Sequence, residues 1–398
     1  MSENENGTTL LVVDDEQSIA DAIATMLRAP GRTVIVAYDV DAAELAVERF
    51  PVTHVIADIQ FSKSLGFEGI RLLDRIRALR PGARVVTLTG YPSSMLRKAA
   101  SARGVVAFVE KPCDVDQLRH ALGLPCNEED DAGTLITIPA IDDLISRVTP
   151  YFQPIVSAAT HETFGFEALA RIEGGWALGS PEALFAYAQR HGRIVELNRA
   201  CVAAALRAAA ELPPDTRVFV NVDAPALCAR GFAGLFDRAP IDLSRVVIEI
   251  SESFAITDDE CACDVVATLR GRGMAIAFDD IGDAYSHFPL IAGIQPEFLK
   301  ISRRIGSDFE RDPKTGRLLA GVVALAHAIG SSVVLEGIET AATAAAAHEL
   351  GIELVQGYWY GRPSQAKEWR IDDAVPSREV ATRDTARHTP PSLARIAS

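Results

Sequence analysis

The chain has 398 residues, a formal net charge of −15, 48% hydrophobic and 23% charged side chains, and a mean hydropathy of +0.13. That length holds two domains of about 100–200 residues each, and the composition is that of a folded chain rather than a disordered one. The acidic balance excludes a broad footprint for a nucleic-acid polymer or an anionic membrane, so an anionic substrate needs a metal or a local basic pocket.

Cysteines at 113, 126, 201, 228, 261 and 263 form no CxxC pair, which argues against a disulfide framework or a zinc site. The opening stretch MSENENGTTLLVVDDE has no basic segment followed by an apolar core. No apolar run approaches the roughly 18 residues that span a bilayer. The expected location is cytoplasmic.

Short β-type apolar runs at residues 10–13, 33–37, 54–57, 84–88 and 105–109 alternate with helix-length amphipathic stretches. This predicts an α/β domain over residues 9–122, with a five-stranded, doubly wound parallel sheet. The acidic, irregular LPCNEEDDAG then marks a linker over residues 123–143.

Asp14 and Asp15 follow the first run and Asp58 follows the third, so three carboxylates converge at the carboxyl edge of neighbouring strands. Such carboxylates repel one another unless a hard cation such as Mg²⁺ neutralises them. Phosphoryl transfer onto an aspartate fits that arrangement. The fourth and fifth strands add Thr89 in TLTGY and Lys111 in FVEKP.

This ordered set resembles the receiver domain of two-component response regulators. The resemblance implies that Asp58 accepts the phosphoryl group, Asp14 and Asp15 hold Mg²⁺, Lys111 pairs with the phosphoryl group, and Thr89 with Phe108 forms a switch pair. It also implies a sensor histidine kinase or phosphotransfer protein as donor. One departure is the stretch DIQFSKSLGFEG after the acceptor, which is longer than usual and lacks the family's proline.

A second alternation follows, with the runs YFQPIV, FGFEALAR, RVFVNV, VVIEIS, AIAFDD, FLKIS, VVLEG and ELVQGYW. Helical segments separate several of them, predicting a (β/α)8 TIM-like barrel over residues 144–370. The polar, proline-bearing residues 371–398 read as a disordered tail.

The barrel runs close on polar residues: Glu167, Asn221, Glu249, Asp279 with Asp280, Lys300, Glu336 and Gln356. Taken singly, each reads as a strand-edge acid, a turn former or a surface lysine. Together they stand where barrel enzymes build their active sites. Glu167, Asn221, Glu249, Asp279 and Asp280 form an oxygen-rich set suited to Mg²⁺ or Mn²⁺, with two ions expected. Lys300 suits the role of orienting a nucleophilic water or offsetting charge at phosphorus, and Glu336 that of proton acceptor.

FEALAR carries the Glu167-Ala168-Leu169 signature of the EAL phosphodiesterases, and YFQPIV, VNVDAPAL, EISE, DDIGDAYSHF, LKIS, LEGIET and QGYWYGRP resemble that family's other motifs in order. The resemblance implies hydrolysis of cyclic di-GMP to linear pGpG. Gln153, Arg171 and Gln356 would then contact substrate, and Glu252 would anchor the Asp279 loop. A homo-oligomer is expected. The chain departs from the family pattern at Ile281, Asp283, Ala284 and His287 in the sixth loop, and at Asp223, Gln295, Ser302 and Glu353 elsewhere. These departures keep a second reading open, in which the barrel binds cyclic di-GMP or a partner protein with little turnover and the receiver switches that interaction.

Overall fold

The computed structural model describes residues 7–58, 67–89, 94–125, 133–174, 180–251, 259–281, 291, 293–306 and 309–370. The expected disordered tail, linker residues 126–132, the stretch 59–66 after Asp58, the anchor Glu252 and the loop positions Asp283, Ala284 and His287 lie outside the described residues.

The chain divides into two compact units, the first comprising Met1–Arg147 with Ile172–Arg193 and the second Val148–Arg171 with Ile194–Ser398. In the first, strands β1 (Thr9–Val13), β2 (Thr33–Ala37), β3 (His54–Asp58), β4 (Arg84–Thr89) and β5 (Val105–Glu110) fall where the apolar runs predict. Helices α1 (Gln17–Met26), α2 (Val40–Arg49), α3 (Phe67–Leu79), α4 (Ser94–Ser101) and α5 (Val115–Leu122) alternate with them. Leu10, Val12, Val34, Val36, Ile56, Val86 and Leu88 meet Leu118 and Leu122 in a fully buried core.

The sheet has six strands, not five, in the order β5-β4-β3-β1-β2-β6. The sixth, β6 (Thr134–Ile138), comes from the segment read as a linker and pairs in parallel with β2 from Thr33↔Thr134 to Ala37↔Ile138. Its sequence TLITI is rich in β-branched residues, which favour a pleated edge. The acidic text ahead of it hid that signal.

Residues 172–193, read from the sequence as barrel, belong to the first unit. After the short helix α6 (Ile141–Ser146) and two barrel strands comes α7 (Pro181–Arg190), whose Tyr187 is fully buried. The Tyr187 hydroxyl lies 3.4 Å from the carbonyl of Pro139 and 3.5 Å from Asp39 Oδ2. Arg190 Nη2 reaches Glu48 Oε2 at 2.6 Å. A helical period reveals that α7 has an apolar face but not which body that face covers.

The second unit is a closed barrel of eight strands in the cyclic order β10-β11-β12-β13-β14-β7-β8-β9. The strands are β7 (Val148–Ser157), β8 (Thr163–Ile172), β9 (Arg217–Val222), β10 (Val246–Ser251), β11 (Ala275–Ile281), β12 (Phe298–Ile301), β13 (Ser332–Leu335) and β14 (Leu354–Gln356). The helices α8 (Ile194–Ala208), α9 (Ala224–Leu227), α10 (Asp259–Gly271), α11 (Arg303–Gly306), α12 (Pro313–Ala328) and α13 (Ala341–Glu349) lie between them in sequence.

The barrel departs from uniform (β/α)8 winding at its first strand, which runs antiparallel to β14. Only residues 158–162 separate β7 from β8, too few for the crossover of a dozen or more residues that parallel neighbours need.

Two sequence departures find a physical role. Gln295 adopts φ 48°, a conformation closed to proline, whose ring holds φ near −65°. Glu353 Oε2 accepts the backbone N–H of Val333 at 3.0 Å, and its Oε1 lies 2.9 Å from His327 Nε2.

Candidate active site

Side chains alternate faces along a strand, so every second residue points into the barrel. Ile155, Phe219, Val247, Ala277, Phe298, Val334 and Leu354 form one apolar layer inside it. Two residues beyond, on β9 to β14 or, for Glu336, just past the end of β13, stand Asn221, Glu249, Asp279, Lys300, Glu336 and Gln356. The polar ring is therefore the next layer up from the core. On the reversed β7 the same layer is reached two residues before Ile155, at Gln153.

Lys300 is completely buried at the centre of this ring. Its Nζ lies 2.8 Å from Glu249 Oε1, 2.9 Å from Glu336 Oε1, 3.2 Å from Asp279 Oδ2 and 3.4 Å from Glu167 Oε2. Among the described residues, neither Nζ nor either oxygen of Glu249 has an aligned hydrogen-bond partner. One cation thus faces four carboxylates.

The proton affinities follow from that imbalance. Burial drives the Glu249 pKa well above the usual range, with Lys300 opposing and Glu167 and Asp279 reinforcing. Asp279 is raised for the same leading reason. Glu336 is pushed up to about 8 by burial, with Lys300 opposing and Asp279 and Glu167 adding to the rise. Burial also acts against the charge on Lys300, but the surrounding carboxylates outweigh it and hold the lysine well above its ordinary pKa. Glu167 alone goes down, because Lys300, Gln356 and Asn221 outweigh its burial.

Glu167 is held on two sides: Asn221 Nδ2 donates to its Oε1 at 2.9 Å and Gln356 Nε2 to its Oε2 at 2.7 Å. Gln356 Nε2 also donates to Gln153 Oε1 at 3.2 Å, and Gln153 Nε2 donates to the carbonyl of Gly361 at 3.1 Å. Gly357 makes this placement of Gln356 possible. A Cβ there would meet the Ile338 carbonyl oxygen at 2.0 Å.

Asp279 and Asp280 are adjacent and would ordinarily point to opposite faces of a strand. The register of β11 against β12 shifts between Phe278 and Ile281, and Asp280 takes φ 59°. This irregularity re-aims the two acids, and the Asp280 N–H donates to Asp279 Oδ1 at 2.8 Å. Two carboxylate trios result, Glu167 with Glu249 and Asp279, and Asp279 with Asp280 and Glu336. Within each trio the candidate ligand atoms lie within 4.8 Å of one another. All-oxygen sets of this kind suit hard divalent cations, and the buried Glu249, whose oxygens have no aligned hydrogen-bond partner among the described residues, fits that chemistry. Glu336, read from the sequence as a base, is equally placed as a ligand.

Arg171 lies four residues past Glu167 on β8 and hence on the same face. Its Nη1 donates to the carbonyl of Ala170 at 2.8 Å, and its guanidinium carbon is 6.0 Å from the Tyr151 ring centre. Glu339 Oε1 pairs with Arg303 Nη2 at 2.6 Å.

The first unit brings three of its predicted residues, Asp14, Asp58 and Lys111, together. Lys111 Nζ contacts Asp14 Oδ2 at 2.6 Å and Asp58 Oδ2 at 2.7 Å. Asp14 and Asp58 are buried, while Asp15, next to Asp14 in sequence, is half-buried. Burial raises the Asp14 pKa against the pull of Lys111. Burial opposes the charge on Lys111, and its bonds to Asp14 and Asp58 outweigh that and raise its pKa. The buried Thr89 Oγ1 has no hydrogen-bond partner among the described residues. Phe108 carries the guanidinium of Arg97 at 5.4 Å from its ring centre.

Residues 141–363, more than half of the chain, match the EAL domain family. The chain belongs to the EAL domain family. Residues 10–123 match the response regulator receiver domain, so a receiver precedes the EAL barrel. The chain is 25% identical over 384 residues to the cyclic di-GMP phosphodiesterase RocR of Pseudomonas aeruginosa, covering 90% of this chain and 96% of RocR. It is 28% identical over 231 residues to the probable cyclic di-GMP phosphodiesterase PdeG of Escherichia coli, covering 54% of this chain but only 45% of PdeG. Among solved structures, the manganese and cyclic di-GMP complex of Klebsiella pneumoniae BlrP1 is similar with a TM-score of 0.51 and 28% identity, covering 55% of this chain and 57% of BlrP1.

Proposed function

We propose that this EAL protein hydrolyses cyclic di-GMP to linear pGpG under the control of phosphorylation at Asp58. The observation that carries the reading is the ring of four carboxylates around the buried Lys300, which together with Asp280 makes two trios that share Asp279. That arrangement suits two divalent cations, Mg²⁺ or Mn²⁺, held by Glu167, Asn221, Glu249, Asp279 and Asp280. Bound there, such ions neutralise phosphate charge and lower the pKa of a nucleophilic water.

The chain's own groups supply the rest. Arg171 receives the charge of the dianionic dinucleotide. Gln153 and Gln356 contact the substrate, and Gln356 holds Glu167 as it does so. Lys300 offsets charge that builds on the phosphorus oxygens. Glu336 takes the proton of the attacking water as the water oxygen bonds to phosphorus and the P–O3′ bond breaks. The O3′ oxygen takes a proton from solvent water as it leaves.

In the receiver, Asp14 and Asp15 hold Mg²⁺, Lys111 pairs with the new phosphoryl oxygens, and Thr89 and Phe108 respond as the switch pair. A sensor histidine kinase or phosphotransfer protein supplies the phosphoryl group to a cytoplasmic homo-oligomer. Among the described residues, no helix is long and apolar enough to cross a membrane.

The test is to incubate the purified protein with cyclic di-GMP and Mg²⁺ or Mn²⁺ and separate the products. The expected result is metal-dependent pGpG that disappears in Glu167→Ala. Tight binding with no pGpG would replace the enzyme reading with that of a binding module.

A further inference from the structure

Asp223 follows the candidate ligand Asn221 by two residues and stands at the N-cap position of α9. An aspartate at that position normally accepts an N–H from its own helix, yet its side chain makes no capping bond. Its carboxylate turns instead to Asn198 on α8. Asn198 Nδ2 donates to Asp223 Oδ2 at 2.6 Å, and the Asp223 backbone N–H donates to Asn198 Oδ1 at 2.9 Å. Asn198 Nδ2 also donates to the Ile194 carbonyl at 3.2 Å. Asn198 is 1% exposed and Asp223 9%.

A buried amide facing a buried carboxylate is a costly way to pack a helix on a barrel, since apolar side chains would do so without desolvating a charge. What the pair does that apolar residues cannot is to grip a backbone N–H just past the end of β9. Asn221 stands on that strand end. Its Nδ2 donates to Glu167 Oε1 at 2.9 Å, an orientation required because an ionised carboxylate only accepts, and it leaves Oδ1 as the atom offered to a cation.

We propose that Asn198 and Asp223 are positioning residues, a reciprocal clip that fixes the exit of β9 and so aims Asn221 at the cation held by Glu167, Glu249 and Asp279. The inference rests on the proposed cation-dependent reading of the barrel. It assigns metal-site geometry to a residue on an outer helix, out of sequence register with every strand-end motif.

The test uses the full chain and a swap. Asn198→Asp sets two carboxylates face to face and breaks the clip. Asn198→Asp combined with Asp223→Asn restores an amide–carboxylate pair with the partners exchanged, and Asp223→Ala removes one jaw should Asn198→Asp fail to fold. Mn²⁺ binding is read by electron paramagnetic resonance without substrate, alongside the melting temperature in chelator. The expected result is Mn²⁺ affinity weakened about 10–100-fold in the single variants, as for other outer-shell partners of metal ligands, and largely recovered in the swap. Folded single variants with the parent's Mn²⁺ affinity and only a lower melting temperature would overturn the clip while leaving the cation reading intact. A parent protein that binds no Mn²⁺ would overturn both, and the parent's own titration separates the two failures.

Discussion

Glu249 Oε1 and Lys300 Nζ stand 2.8 Å apart with neither side chain exposed to solvent. Removing one partner of such a buried pair strands the other, at a cost of about 3–5 kcal/mol. Three further carboxylates face the same ammonium. Lys300→Met should therefore destabilise the metal-free protein by at least that amount, and added Mn²⁺ should return part of the loss by supplying the missing positive charge. Urea unfolding with and without Mn²⁺ checks this. A variant as stable as the parent in chelator would mean that the lysine does not hold the ring together.

The raised carboxylates set a direction for pH. Glu336 goes from an ordinary value near 4.3 to about 8, and Glu249 and Asp279 are raised as well. In that window the folded state binds more protons than the unfolded one, so stability must fall as pH rises. Asp14 in the receiver acts in the same sense. Glu167 is lowered and acts oppositely, below the ordinary glutamate range, and the raised Lys300 titrates far above the window. The melting temperature in chelator should drop between about pH 5 and pH 8.5, and Mn²⁺ should flatten the slope. Apparent Mn²⁺ affinity should rise by up to about tenfold per pH unit for each proton displaced. A stability that rises with pH in chelator would contradict the charge assignment.

Tyr187 tests where the units divide. It lies in a segment that the sequence places with the barrel, yet it is buried within the first unit. Truncating a large buried aromatic costs about 3–5 kcal/mol. Tyr187→Ala should speed hydrogen exchange in β1 to β6 and leave β9 to β14 protected. Faster exchange confined to the barrel strands would move α7 back to the second unit.

Asp58→Asn should abolish the change in phosphodiesterase rate that a phosphodonor produces in the parent, with the unphosphorylated rate kept. Lys111 would lose one of its two carboxylate partners, so Asp14 becomes its main contact. An unchanged response in a variant shown to carry no phosphoryl group would refute control through Asp58.

Much of this site is readable from the one-dimensional pattern, because a strand with an apolar residue two places before a polar one puts the core layer and the active layer in fixed order. Phe298 and Lys300 show this, as do Val334 and Glu336. Gln153 obeys the same spacing in reverse, and only the short link of residues 158–162 betrays that its strand is inverted. The φ 59° of Asp280 leaves no mark in composition, since aspartate adopts that conformation without a glycine to announce it. The Asn198–Asp223 clip was visible only as an unusual residue at 223. Its partner sits 25 positions away on a helix face that periodicity marks as simply buried.

The most direct measurement is cleavage of cyclic di-GMP in H₂¹⁸O with Mn²⁺, followed by mass analysis of the product. The account predicts one ¹⁸O in the terminal phosphate of pGpG, none in the bridging position, and loss of turnover in Glu167→Ala exceeding the roughly 10–100-fold typical of an outer-shell partner. Absence of pGpG, product without the label, or equal turnover in Glu167→Ala would contradict it.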